Sequence, residues 1–78
     1  MVTVRIHNAY SDGHESTHEV EVAVPAGPLE EWWEDEVWPE TGDGHGADNE
    51  DLGTCYTATI ILAEDLRLLG ANHEWVSS

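Results

Sequence analysis

Residues His14-Glu15-Ser16-Thr17-His18 spell the five-letter pattern in which two histidines and a glutamate serve a zinc peptidase. That chemistry needs both imidazoles on one face of a buried helix, with a third ligand and a substrate cleft beside them. Here the pattern falls in a turn-to-strand region without flanking helical apolar positions, so its four-residue spacing has no helical meaning. Zinc held by His14, His18 and a carboxylate is therefore a minor reading. A second candidate set lies downstream, where Asp43, Asp48, Glu50 and Asp51 surround His45 in a glycine-rich stretch. Several oxygens on a flexible loop suit calcium. With Asp43 as the first ligand, however, His45 and Ala47 occupy the second and third ligand places of an EF-hand, so the set reads as a weak cation site. Cys55 with a histidine base would make a nucleophile pair. No glycine-rich oxyanion loop or helix N-terminus accompanies it, and a buried structural thiol is the stronger reading. Carboxylate pairs of the glycosidase kind are available in number but not in any informative spacing. The chain reads as a non-enzyme that needs no cofactor.

The acids themselves are the strongest feature. Between Gly27 and Asp51 there are ten carboxylates, three tryptophans and no lysine or arginine. Over the whole 78-residue chain Arg5 and Arg67 oppose seventeen acidic side chains, for a net charge of -15. Such a charge determines what the surface meets more than how the chain folds. It argues against direct nucleic-acid binding, which needs lysines and arginines facing phosphates, and against anionic membrane surfaces. A basic protein is the partner it suits. Molar salt is the alternative setting, in which the charge only solvates.

Hydrophobic residues make up 40% of the chain, and its four tryptophans argue against disorder. One domain over residues 1–78 with a thin core is expected. A single cysteine excludes an intrachain disulfide and a Cys-rich zinc site. A reducing, cytoplasmic setting fits. The opening MVTVRIHNAY lacks the basic and apolar regions of a signal peptide, and the aliphatic run from Ala58 to Ala63 is too short to span a bilayer.

The elements that must position these residues follow from period. Residues 2–9 alternate, with Val2, Val4 and Ile6 on one face and Thr3, Arg5 and His7 on the other. Residues 18–24 repeat the alternation with Val20, Val22 and Val24 inward, and the turn-rich segment between predicts a hairpin with Arg5 facing outer glutamates. Pro28 suits a first helical turn, and Leu29 to Trp38 has helical spacing. Leu29, Trp32, Trp33 and Val37 lie on its apolar face, and Glu30, Glu31, Glu34 and Asp35 on the opposite one. Glu36 intrudes on the apolar arc and is expected at the rim or paired with Arg67. Pro39 should end the helix. Trp38 either stands exposed among the acids or folds back to cap the core. Residues 40–54 form a long, acidic, glycine-rich loop, functional or mobile by its length. Cys55 to Ala63 reads as a strand with Tyr56, Ala58, Ile60 and Leu62 on one face. Glu64 to Gly70 reads as a helical turn, and Asn72 to Ser77 as a last strand. The expected fold is α+β: a small antiparallel sheet in β-β-α-β-β order with one packed amphipathic helix.

The segment Cys55-Tyr-Thr-Ala-Thr-Ile-Ile, with Leu69-Gly70 and Glu74-Trp75, resembles the C-terminal part of small uncharacterised acidic proteins of actinobacteria and their phages. The resemblance covers the C-terminal third of the chain. It implies that Tyr56, Ala58, Gly70 and Trp75 are framework positions and that the protein has a phage or prophage origin. It brings no catalytic or ligand residue.

Together these features predict an acidic protein-interaction module. Its binding face would comprise Glu30, Glu31, Glu34, Asp35, Trp38 and Glu40, and it would compete with nucleic acid for a basic partner surface. A metal- or small-ligand module using the 40–54 loop is the second reading, and a haloadapted domain the third. Exposed sheet edges leave room for a homodimer.

Overall fold

In the computed structural model, which describes residues 1–46 and 51–77, the alternating N-terminal run becomes strand β1, Val2–Tyr10. It pairs antiparallel with β2, Glu15–Val22, and with β3, Thr54–Leu62. Strand β4, Asn72–Ser77, adds to the outer side of β3, giving the sheet order β2-β1-β3-β4. The α+β fold and the β-β-α-β-β order are those the periodicity predicts.

One face of the sheet carries the core. Val2, Val4 and Ile6 of β1, Val22 of β2, and Ala58 and Ile60 of β3 are buried there. Trp32, Trp33 and Val37 close over them from the helical segment. A buried tryptophan withdraws roughly 150–250 Å² from water, an upper bound of about 4–6 kcal/mol each. Among the described residues no helix or further strand covers the opposite face. There Arg5 stands directly across from Glu19, with 3.5 Å between Nη2 and Oε2, as the alternation implies.

The helical segment changes pitch twice. An α-helical turn, α1 at Leu29–Trp32, runs into a π-helical turn at Trp33–Val37 and then a 3-10 turn at Trp38–Glu40. The Trp38 amide bonds the Trp33 carbonyl five residues back. That wide turn brings residues five apart onto one face, so Val37 joins Trp32 against the sheet. Pro39 does not end the segment. It removes one amide donor, and the chain tightens into the 3-10 turn around it.

Several expectations are corrected. The second strand begins at Glu15 and ends at Val22, because only four residues, Ser11 to His14, are needed to turn the hairpin. Gly13 adopts the left-handed φ of 93° there, and the Tyr10 amide bonds the His14 carbonyl at 2.9 Å. Val24 lies beyond the strand and is exposed, and Leu29 and Leu62 are also exposed. Glu36 is exposed and does not meet Arg67, whose guanidinium bonds Asp65 at 2.9 Å, two residues away. Residues 64–70 form successive turns in place of a helical turn. Their short-range bonds include Leu68 N to Asp65 O and Ala71 N to Leu68 O. Cys55 is half-buried on the open face of the sheet, not in the core.

Candidate functional site

The helical segment keeps its carboxylates outward. Glu30, Glu31, Glu34, Asp35, Glu36 and Glu40 are all exposed, and Trp38 stands 51% exposed among them. Of the two alternatives for Trp38, the structure shows the exposed one. Its backbone continues the turns, so its side chain is carried away from the face occupied by Trp33 and Val37. Both arginines are engaged elsewhere, Arg5 with Glu19 and Arg67 with Asp65. The helix face therefore keeps its charge. Glu34 is the acid tied into the fold: Oε1 accepts the Trp75 indole N–H at 2.9 Å and lies 3.8 Å from His73 Nε2. His73 stacks on Trp33, and Trp75 meets both rings edge-on.

Beside this face runs a groove of about 520 Å³ lined by Trp38, Tyr56, Trp75, Glu74 and Val76, together with the ends of β3 and β4. Tyr56 and Trp75 are direct partners in the β3–β4 register, so their side chains lie together on the helix-covered face. Of the groove's aromatics, the helix pattern marks Trp38; the other two are recognisable only once the two strands are paired.

The first half of the 40–54 loop is pinned to the hairpin. Asn8, fully buried, follows Ile6 in the alternation and so takes a core-face position with a polar side chain. Its Oδ1 accepts the Gly42 amide at 2.8 Å, and its Nδ2 donates to Ser16 Oγ and His18 Nδ1. The other His18 nitrogen donates to the Glu40 carbonyl at 2.8 Å. Gly42 has the left-handed φ of 82° that suits glycine, and its Cα packs close enough to the Tyr56 hydroxyl that an added Cβ would sit at van der Waals contact, 3.4 Å from it.

Asp43 is the hub of this latch. Oδ1 accepts the Tyr10 hydroxyl at 2.7 Å and the His45 amide at 3.0 Å, while Oδ2 accepts from Ser16 Oγ and lies 2.9 Å from His14 Nε2. The Ser16 hydroxyl, then the Tyr10 hydroxyl, the His45 amide and His14, hold its carboxyl well below the usual carboxylate range. Burial pushes the Tyr10 hydroxyl up to about 12; the Asp43 amide works against that rise and its carboxylate with it. The His14 and His45 rings stack 3.9 Å apart, and His45 Nε2 reaches Asp12 Oδ2 at 2.7 Å. His45 also lowers the Asp12 carboxyl.

These placements answer the chemical readings one by one. His14 and His18 lie on one side of an extended hairpin arm, about 13 Å apart along it at strand rise, too far to share a zinc ion. Of the loop carboxylates, Asp43 is consumed by the latch and Asp51 is exposed, while Asp48 and Glu50 lie outside the described residues. Among the described residues no group of three acidic, histidine or cysteine side chains could hold a metal. Ser16, Asp43 and His14 are adjacent, but the hydroxyl and the imidazole both bond the carboxylate, which leaves Ser16 without a base. On the open face, His7 lies near Cys55 in register, yet its ring nitrogens bond Thr17 and Glu15.

Sequence reasoning missed the latch residues Asn8, Tyr10, Asp12 and Ser16. A signal was present for one of them, a polar Asn8 in the apolar phase of β1. Among the described residues no helix is long and apolar enough to cross a membrane. Compared with protein families, curated proteins and solved structures, the chain has no match.

Proposed function

We propose that this protein is an acidic interaction module that engages a basic surface of another protein through Glu30, Glu31, Glu34, Asp35 and Glu40, with Trp38 as the apolar anchor. The observation that carries this reading is the conjunction of an uncompensated carboxylate face and a half-exposed indole within it, while both arginines are paired elsewhere. Local rewards for the acids are small: Glu34 accepts the Trp75 indole, and Glu30 and Glu31 stand in the first helical turn. Glu30 with Glu34, and Glu31 with Asp35, are like charges at the i,i+4 spacing that weakens a helix. Aromatic residues ringed by polar ones are the usual energetic centre of an interface. Long-range attraction speeds encounter with a basic partner, and salt weakens it.

A partner that normally binds nucleic acid would lose access to it while the module is bound. The module itself does not bind nucleic acid or membrane. A phage or prophage accessory protein acting in the cytoplasm is the biological role we assign. The test is affinity capture from a host lysate at about 150 mM salt, where surface charges are partly screened. A basic protein retained by the wild type and lost when Glu30, Glu31, Glu34 and Asp35 are changed to lysine supports the reading. Equal retention by both overturns it.

A further inference from the structure

We infer that the groove between Trp38 and β4 receives an arginine or lysine side chain from an extended segment of the partner, whose backbone lies along the free edge of β4; this rests on the proposed basic partner. Three observations converge on it. Trp38, Tyr56 and Trp75 line the groove, and aromatic faces attract a guanidinium or ammonium group. Glu34, bonded to the Trp75 indole, fixes that ring and places a carboxylate beside it, whereas the neighbouring Glu74 belongs to the other face of β4 and meets the groove only at the strand edge. β4 is an edge strand of the sheet, so half of its backbone groups face outward and are open to pairing with an added strand.

Charge complementarity selects the occupant. A second copy of this chain would bring another net charge of -15 to an already acidic edge. An apolar side chain in the groove would leave the Glu34 carboxylate beside Trp75 without a cation. A strand that alternates cationic and small apolar residues satisfies the groove, with a cation among the rings and an apolar side chain over Val76, which is 70% exposed.

The experiment is a titration of the ¹⁵N-labelled protein with the blocked peptide acetyl-Arg-Val-Arg-Val-Arg-Val-amide, and in parallel with the same peptide carrying citrulline for arginine. Saturable shifts should concentrate on the Trp38 and Trp75 indole N–H groups and on the amides of β4. Binding should weaken about fivefold with citrulline and about fivefold for Trp38→Ala, the loss expected for an exposed cation–aromatic contact. Trp38→Ala changes an exposed side chain, and its spectrum reports directly whether the fold is kept. Shifts confined to the amides of residues 29–35, with affinity unchanged in Trp38→Ala, overturn the groove while leaving the acidic helix face as the binding surface. Peptide seated in the groove, together with lysate capture that survives charge reversal at Glu30, Glu31 and Asp35 with Glu34 kept, supports the groove and overturns the helix face.

Discussion

Tyr10, the last residue of β1, donates its hydroxyl to Asp43 Oδ1 at 2.7 Å, thirty-three residues away in sequence. This bond joins the hairpin to the loop that follows the helical segment, and it explains why part of a glycine-rich acidic loop is held against the sheet. It also makes the latch sensitive to the charge of one carboxylate.

Acid should weaken that latch. The Asp43 carboxyl titrates lower in the folded protein than in the unfolded chain, where about 3.9 is usual. Its contribution is therefore complete above the unfolded value and is lost as pH falls through the lower folded one. Acidification also relieves the self-repulsion of the other carboxylates, so wild-type stability alone does not isolate the effect. The difference in Tm between wild type and Asp43→Asn should be positive and level above about pH 5, and should shrink as pH falls towards 2. A difference independent of pH would contradict the role given to the Asp43 charge.

Tyr10→Phe keeps the ring and removes the donor to a carboxylate. Denaturant unfolding at neutral pH should show a loss of about 1.5–3 kcal/mol, the range for a hydrogen bond to a charged group. The tyrosinate absorbance of wild type minus that of the variant should titrate near the raised value of about 12. Because the folded value is raised, this contribution is complete below the unfolded value near 10 and is lost as pH rises through about 12.

Asn8→Ala should cost about 1–3 kcal/mol, because the Gly42 amide loses its acceptor in a buried site. His18 loses a partner in the same step. Hydrogen exchange at Gly42 and Asp43 should accelerate more than exchange in β3. Equal acceleration in both would mean that Asn8 supports the sheet as a whole and not the latch.

The sheet and its phase were legible because alternation is strict: Val2, Val4 and Ile6 point inward as the spacing requires, and Trp32, Trp33 and Val37 keep their predicted face. The end of β2 was not legible, since Val24 continues the apolar phase beyond the point where pairing stops. Helix pitch was also hidden, because the spacing of Trp32, Trp33 and Val37 fits an α-helical face as well as the π-helical turn at Trp33–Val37. The acidic face was visible as composition. The latch was not, since Asp43 reads as one more loop carboxylate until the fold brings Tyr10, His14 and Ser16 around it. Nor was the groove, whose Trp38 and Trp75 come from opposite halves of the chain.

Two tryptophans in the helical segment should separate stability from binding. Trp33→Ala empties a buried site and should cost about 3–5 kcal/mol. Trp38→Ala alters an exposed one, and thermal unfolding should change by less than about 1 kcal/mol. A large destabilisation by Trp38→Ala would mean that the indole belongs to the core after all.

The most direct test of the acidic face compares two variants of equal charge on a basic protein recovered by capture. One carries lysine at Glu30, Glu31, Glu34 and Asp35, and the other at Glu15, Glu19, Glu21 and Glu64, away from the helix. The account predicts that the helix-face variant loses binding at about 150 mM salt while the other keeps most of its affinity. Equal losses would show that the partner responds to net charge alone, and would contradict the assignment of a binding face.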